Sequence, residues 1–323
     1  QRLLLSNIST LSGTLNLAAC THLQEVHADG TSLVQIILPK GGGLRSVEFS
    51  EYNQYLSLMN YPLMTNEGVG IGLCKEIISD FFITGCPMIS PMALLIGIMD
   101  AQSGQGSEHK LKRIRAVGFN ETYNTSDMLD KLAILTDGTY EGLSSEGIAG
   151  EDELPVLDGT LNVYANAYED SIETLRSTFS KLTLNVIGEY YVRFKDSVVG
   201  SYMIEKFGDG TGITKGRLGQ ISKSQLGKPF TNNKQLVYFD EMKYLNNLYD
   251  MEANRFLNCS SVISVILPPN IINLYNACFR NTALTTIVIP KTVVYMEQSV
   301  FEECQYLESC IFEEERANAL KIR

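Results

Sequence analysis

Side chains suited to acid–base or metal chemistry are few in this sequence. The histidines are His22, His27 and His109, and histidine is the side chain whose ordinary pKa lies nearest to neutral pH. His22 and His27 are five residues apart and flank one predicted strand on opposite sides, which makes them a poor pair of metal ligands. We therefore predict surface positions for both, no metal site, and no imidazole-based catalysis.

Three short motifs resemble cofactor or nucleophile loops, but each lacks a required residue. Residues 68–72 have neither the third glycine of a dinucleotide loop nor the Gly-Lys-Ser/Thr ending of a phosphate loop. Residues 208–212 align with a calcium loop only if Phe207 and Gly216 occupy ligand positions. Residues 142–146 lack the final glycine of a nucleophile elbow. We therefore predict that residues 68–72 form a connector and residues 208–212 a turn. We predict no bound cofactor, and the sequence does not support a serine hydrolase.

Carboxylates are concentrated at Glu302, Glu303, Glu308, residues 313–315 and residues 151–153. A glycosidase needs two carboxylates at a fixed separation in a cleft, and no such pair can be read from the spacing. A solvated acidic surface is the simpler interpretation. We predict that the chain is not an enzyme, with a glycan depolymerase as the alternative.

Aromatic side chains in the middle of the chain are the better candidates for a binding function. Tyrosine is rigid and amphipathic, which suits contacts with protein or carbohydrate. Packing in the core or at a sheet edge is the alternative explanation. The predicted contact residues are Tyr164, Tyr168, Tyr190, Tyr191 and Phe194.

Composition restricts the class of partner. The chain has 323 residues, 44% hydrophobic and 20% charged, which is typical of a globular protein. Its net charge of -11 and pI near 4.9 would repel nucleic acid and anionic lipid. The apolar segment at residues 92–99 is far too short for a membrane span. We therefore expect protein or glycan partners, no nucleic acid and no membrane span.

The elements that would present these residues follow a repeat. Phe256, Phe279 and Phe301 recur at intervals of 23 and 22 residues, and Leu267, Ile289 and Phe312 recur at 22 and 23. The unit reads Phe-x-x-Cys-x-x-Leu-x-x-Ile-x-Ile-Pro. Its alternating end predicts a short strand with one buried face, and the proline terminates strand pairing. Phe230 begins a degenerate preceding copy, 26 residues before Phe256.

Earlier regions vary this pattern. Apolar residues near the N-terminus recur at about half the later period, which leaves two interpretations: strands on both sides of each coil, or short turns. Further on, the pattern predicts helices over residues 92–99, 126–135 and 170–179, and Leu161 and Leu184 stand 23 residues apart in predicted strands. Polar, glycine-rich residues 102–110 and 137–155 are predicted insertions or junctions.

The seven cysteines fit neither a disulfide framework nor a zinc site, because their number is odd and their positions span the chain. Four of them stand three residues before an apolar position of their own unit, where a small buried side chain is expected. We predict a packing role for Cys20, Cys86, Cys259 and Cys304.

These repeat residues carry a resemblance to known families. The unit at residues 230–312 resembles leucine-rich repeats of the BspA-like type found in bacterial surface proteins. Its fourth position lacks cysteine in the copy beginning at Phe279, and the last copy lacks the terminal proline. A weaker resemblance spans most of the chain, at residues 115–119, 137–140, 155–163, 182–185 and 191–194. This weaker resemblance is to repeat-bearing virion or tail proteins of gut bacteriophages that infect Bacteroides-type hosts.

The resemblance implies a fold and a function. The expected fold is an α/β solenoid of leucine-rich repeats, with short parallel strands and a mixed helical and extended back face. We expect three regions: N-terminal repeats (1–101), an irregular strand–helix region with insertions (102–229) and BspA-like repeats (230–323).

The implied function is a non-enzymatic, tail-associated virion protein that contacts other virion proteins or a host surface receptor. It would be present in several copies or as a homo-oligomer. The alternative is a bacterial cell-surface adhesin that binds protein or glycan. Virion and cell surface are the corresponding locations.

Overall fold

A computed structural model describes residues 1–104, 109–140, 143 and 155–313, together with the backbone of residues 321–322. The chain forms two compact units, Gln1–Gly188 and Glu189–Arg323. Most of the motif at 142–146, the acidic residues 151–153, and Glu314 and Glu315 lie outside the described residues. In the described part of the chain, no helix combines the length and apolar character that a bilayer crossing requires.

The first unit consists mainly of short strands. In chain order these are β1 (Arg2–Leu4), β2 (Ser12–Asn16), β3 (Glu25–His27), β4 (Ser32–Ile37), β5 (Ser46–Glu48), β6 (Tyr55–Met59), β7 (Val69–Gly70), β8 (Asp80–Thr84), β9 (Arg113–Tyr123), β10 (Val156–Val163), β11 (Ala167–Tyr168) and β12 (Leu182–Val186). The α-helices are α1 (Pro91–Gln102), α2 (Asp127–Ala133) and α3 (Glu169–Thr178). All three predicted helices of this region are present.

Parallel pairing explains the half-period near the N-terminus. β1, β3, β5 and β7 form one sheet in that order, and β2 pairs with β4 in another. Val26 pairs with Val47, and Val47 pairs with Val69. Successive strands along the chain therefore alternate between sheets, and each sheet keeps the full period. Of the two interpretations, strands on both sides of each coil is the one observed.

The third sheet of this unit has the strand order β12-β10-β9-β8-β6. Leu161 pairs with Leu184 in parallel register, as their 23-residue spacing predicts.

Gln102, at the end of α1, is fully buried and ties the predicted insertion to the fold. Its Nε2 donates to the Ile78 carbonyl at 2.8 Å, and its Oε1 accepts from Lys110 N and Leu111 N.

The second unit contains one short strand, then three helices, and then a series of very short strands. Its elements are β13 (Tyr190–Tyr191), α4 (Ser197–Phe207), α5 (Lys215–Gln220), α6 (Lys223–Leu226), β14 (Tyr238–Phe239), β15 (Asp250–Met251), β16 (Ser264–Val265), β17 (Asn273–Leu274), β18 (Thr286–Ile289), β19 (Tyr295–Met296), β20 (Ser309–Phe312) and β21 (Lys321–Ile322). β15, β17, β19 and β21 form one parallel sheet. β14 pairs with β16 and β18 pairs with β20, and β16 contacts β18.

The repeated phenylalanines form a stack through this unit. Phe256 lies parallel to Phe279 and Phe279 to Phe301, with ring centroids 5.4 and 5.6 Å apart. Phe230 also lies parallel to Phe256, at 6.4 Å. The degenerate first copy is therefore part of the same core, and Phe239 pairs with Val265 at the predicted 26-residue offset.

Small hydrogen-bonding side chains occupy one repeat position beside this stack. The Cys259 thiol donates to the Phe230 carbonyl, and the Cys304 thiol donates to the Phe279 carbonyl. Thr282 occupies the corresponding place in the copy that lacks cysteine, and its hydroxyl donates to the carbonyl of Phe279 in its own repeat. In all three copies the position thus holds a small hydrogen-bond donor, which the cysteine pattern indicated only in part.

The four predicted packing cysteines differ in burial. Cys86 and Cys259 are buried, and Cys304 is half-buried. Cys20 is exposed, so the prediction was wrong at that position. It follows β2, an edge strand that pairs in the described sheets on one side only, with β4. Cys278, in contrast, is completely buried.

Candidate binding surfaces

The predicted aromatic contact residues fall in different environments. Tyr164 is exposed and Tyr168 is half-buried, both in the first unit. In the second unit Tyr190 is half-buried, whereas Tyr191 is buried and Phe194 packs against the hydrophobic core. Burial favours the packing alternative for Tyr191 and Phe194. Tyr164 has the exposure that a contact residue needs, and its role remains a prediction.

Tyr191 has an evident structural partner in the glycine-rich turn at residues 208–212. Its hydroxyl donates to Asp209 Oδ2 at 2.6 Å. Asp209 Oδ1 accepts from Thr211 N and Gly212 N, both at 3.1 Å, so the carboxylate closes the turn on itself. A Cβ at Gly212 would lie 2.6 Å from the Tyr191 ring. The glycine is needed for this close approach, and the segment forms the predicted turn.

An exposed apolar row runs across the strands of the second unit. Ile266, Val288 and Ile311 are 42%, 42% and 49% exposed. Val288 and Ile311 are register partners on β18 and β20, and Ile266 directly follows β16. Side chains alternate between the faces of a strand, so this row lies opposite the buried Val265, Ile287 and Ile289. It is an apolar surface that the described fold leaves uncovered.

Hydroxyl side chains and a charged group border this row. Thr286 and Ser309 are register partners on the same strands, and Ser264 on β16 hydrogen-bonds to Asp240. Lys195 Nζ lies 3.7 Å from the centroid of the Tyr238 ring and 3.4 Å from Asp240 Oδ2. We name the surface formed by Ile266, Val288, Ile311, Thr286 and Ser309 the strand face. Its chemistry suits noncovalent contact with another molecule.

Asp196 fixes the backbone beside this region. Its carboxylate is buried and accepts hydrogen bonds from the amides of Val198 and Val199 at the start of α4, and from Val237 N and Tyr238 N. Burial alone would raise the pKa of this carboxyl, but the four amide donors outweigh it and lower the pKa below its ordinary value. Asp196 therefore holds α4 and β14 together as an ionised carboxylate.

A pocket beside α1 is lined in part by Ser90 and Glu121, and the Tyr123 hydroxyl contacts both, a grouping that could suggest catalysis. Glu121 Oε2 accepts from the hydroxyls of Ser90 and Tyr123, and Glu121 Oε1 accepts from Met92 N at the start of α1. Both carboxylate oxygens are thus engaged in holding the helix terminus, where negative charge is stabilising. Burial raises the pKa of Tyr123, which keeps its phenol protonated. The arrangement is structural.

A mixed histidine–carboxylate group lies in the first unit. The sequence predicted surface positions for His22 and His27, and His22 is exposed, but His27 is half-buried. His27 Nδ1 lies 2.8 Å from Glu48 Oε2 on the neighbouring strand β5. A ligand atom of Asp29 lies within 4.8 Å of both groups. The pKa of His27 is raised, mainly by its hydrogen bond to Glu48, which outweighs the opposing effect of partial burial.

Comparisons with known proteins agree with the repeat assignment. The family described as the BspA type leucine rich repeat region matches residues 230–320 in six copies. This confirms the predicted repeat type for the C-terminal part of the chain. A family of non-enzymatic repeats is indicated there, and no catalytic family is indicated. No curated protein matches the sequence.

One solved structure resembles the chain weakly. It is a leucine rich cell surface protein from Faecalibacterium prausnitzii, with 13% sequence identity and a TM-score of 0.24. The match covers 93% of this chain and 62% of that protein, so the chain spans less than two thirds of its length. These comparisons give no support to the phage resemblance.

Proposed function

We propose that this chain is a non-enzymatic binding protein that contacts a protein partner through the strand face of its BspA-type repeats. The exposed row of Ile266, Val288 and Ile311 carries the proposal, because equivalent positions of successive repeats present apolar β-branched side chains outward. The bordering Thr286 and Ser309 provide hydrogen-bonding groups at the rim. A central apolar region with a polar rim is typical of protein interfaces. The repeated strands would form one solenoid that presents this face.

The proposed setting is a bacteriophage tail, supported by the chain-wide sequence resemblance to virion proteins. The bacterial cell surface is the alternative, supported by the repeat type of residues 230–320. Immunogold electron microscopy with antibody against the chain separates the two settings. Label on tails of purified phage particles supports the virion setting, whereas label confined to host envelopes supports the adhesin.

The strand face itself is tested with surface variants. Val288→Glu and Ile311→Glu place charges in the apolar row and should abolish binding of the purified chain to the particles or cells that the antibody labels. Glu205→Gln, at an exposed position of α4, is a matched surface control. Unchanged binding by both glutamate variants, with folding verified by circular dichroism, would exclude the strand face as the contact surface.

A further inference from the structure

The group formed by His27, Asp29 and Glu48 has the composition and spacing of a metal site. One atom from each side chain, an imidazole nitrogen or a carboxylate oxygen, lies within 4.8 Å of the other two. His27 and Glu48 are direct register partners on the parallel strands β3 and β5, so backbone hydrogen bonds fix their separation. Asp29 follows β3 by two residues. A ladder-defined ligand pair is more rigid than one carried on loops.

The surroundings orient each of these side chains. Ser6 Oγ donates to Asp29 Oδ1 at 2.6 Å, which holds that carboxylate in place. Gly70, the register partner of Glu48 on β7, leaves room for the glutamate, because a Cβ there would lie 2.9 Å from Glu48 Cγ. The three side chains are half-buried or exposed, so an ion could enter from solvent.

The second nitrogen of His27 faces a separate carboxylate. Nε2 lies 3.6 Å from Glu25 Oε2, and Arg2 holds Glu25 from the other side with Nε 2.7 Å from the same oxygen. A metal-bound histidine almost always directs its other ring N–H to such a group, which fixes the tautomer. In the free protein Nδ1 donates its proton to Glu48 Oε2 at 2.8 Å. A bound ion would displace that proton, so that the Nδ1 lone pair faces the ion and the remaining N–H, on Nε2, faces Glu25.

From these contacts we propose that His27, Asp29 and Glu48 bind a divalent transition-metal ion of the Zn²⁺ class, with water completing the coordination. One nitrogen and two carboxylate oxygens suit Zn²⁺, which is commonly held by three protein ligands and a water in open sites. The imidazole disfavours Ca²⁺ and Mg²⁺, which take oxygen ligands. The ion would join β3 to β5 and neutralise two neighbouring carboxylates. The spacing of His22 and His27 predicted no metal site. That spacing could not reveal that Glu48, one repeat further along the chain, lies beside His27.

Isothermal titration of ZnCl₂ into the chain, purified without a histidine tag and stripped with chelator, tests the proposal. The exposed thiols could bind zinc themselves, so a Cys20→Ser/Cys310→Ser background is used. We expect one equivalent of Zn²⁺ to bind and CaCl₂ to give no saturable heat. His27→Ala and Glu48→Gln should each weaken Zn²⁺ binding by about tenfold or more. His22→Ala, at an exposed position nearby, is the matched control and should bind as the background does.

A thermal unfolding series gives a second readout. Zn²⁺ should raise the midpoint of the background protein and of His22→Ala by mass action, and should raise the midpoint of His27→Ala less at the same Zn²⁺ concentration. Glu48→Gln preserves side-chain shape, so it remains informative if the histidine variant folds poorly. Absence of Zn²⁺ binding, or equal binding by the background, His27→Ala and Glu48→Gln, would overturn the proposal.

Discussion

The rings of Phe256 and Phe279 lie parallel, with centroids 5.4 Å apart and an angle of 11° between their planes. These residues are 23 positions apart in the sequence, and both are fully buried. Each ring covers the ring of the preceding repeat and is covered by the next. Phenylalanines one repeat period apart in the sequence are therefore in contact in the structure. The core of one repeat is incomplete without its neighbours.

Truncation within this stack should be strongly destabilising. Phe279→Ala removes a ring that contacts both Phe256 and Phe301, and should lower the free energy of unfolding by about 3–5 kcal/mol. Urea unfolding followed by circular dichroism measures the change. Phe312→Ala is the control, because Phe312 is 40% exposed, and its loss should be much smaller. Equal losses for the two variants would contradict the stacking argument.

A second prediction concerns asparagines that turn the chain at equivalent positions. Asn232, Asn258 and Asn281 have φ values of 62°, 59° and 55°, and Asn281 Nδ2 donates to Asn258 Oδ1 at 3.1 Å. Asn281→Ala introduces about 1–2 kcal/mol of left-handed backbone strain and loses the amide contact. Asn281→Gly loses the contact without that strain. Urea unfolding should therefore rank glycine above alanine in stability, and the reverse order would rule out the conformational explanation.

Stability should fall in acid because of Asp196. Burial tends to raise the pKa of its carboxyl, but hydrogen bonds from four backbone amides outweigh that effect, so the folded-state pKa lies below the ordinary value. A lowered folded pKa contributes stability that is present above the unfolded pKa, about 3.9, and is lost as pH falls through the folded pKa. Asp196→Asn should therefore be less stable than the wild type at pH 7, and this difference should narrow below about pH 4.

Chemical unfolding across pH 3–7 measures that difference. Glu205→Gln, at an exposed position on α4, serves as the control and should follow the wild type at every pH. A gap between Asp196→Asn and the wild type that stays constant with pH would show that the ionised carboxylate contributes nothing to the acid response.

Thiol labelling should separate the cysteines by burial. Cys20 and Cys310 are exposed and should react rapidly in the native state. Burial raises the pKa of Cys259 to about 11 and that of Cys74 to about 12, which leaves little thiolate to react. Mass spectrometry after brief alkylation should find label at the exposed pair and none at Cys259 or Cys278, with all seven labelled in denaturant. Rapid native labelling of Cys259 would contradict its packing role.

Much of the repeat architecture could be read from spacing. The 22- to 23-residue recurrence of phenylalanine predicted which residues share a core layer, and the pairing of Ile289 with Phe312 and of Leu161 with Leu184 follows it. These predictions succeeded because a parallel strand and its neighbour differ by one repeat, so the period is itself the register. The prediction for Cys20 failed because burial depends on neighbouring strands, and β2, which precedes Cys20, has a described partner on one side only.

The sequence by itself determined the repeat type of residues 230–320, the short strands, the helices over the predicted segments and the acidic character of the chain. Only the tertiary structure decided which side chains of different repeats meet. His27 and Glu48 are 21 residues apart, and Asp196 bonds to amides 41 and 42 residues away. Hydrophobic periodicity specifies the buried face, whereas contacts between polar groups depend on register and turn length, and both are fixed only when the repeats stack.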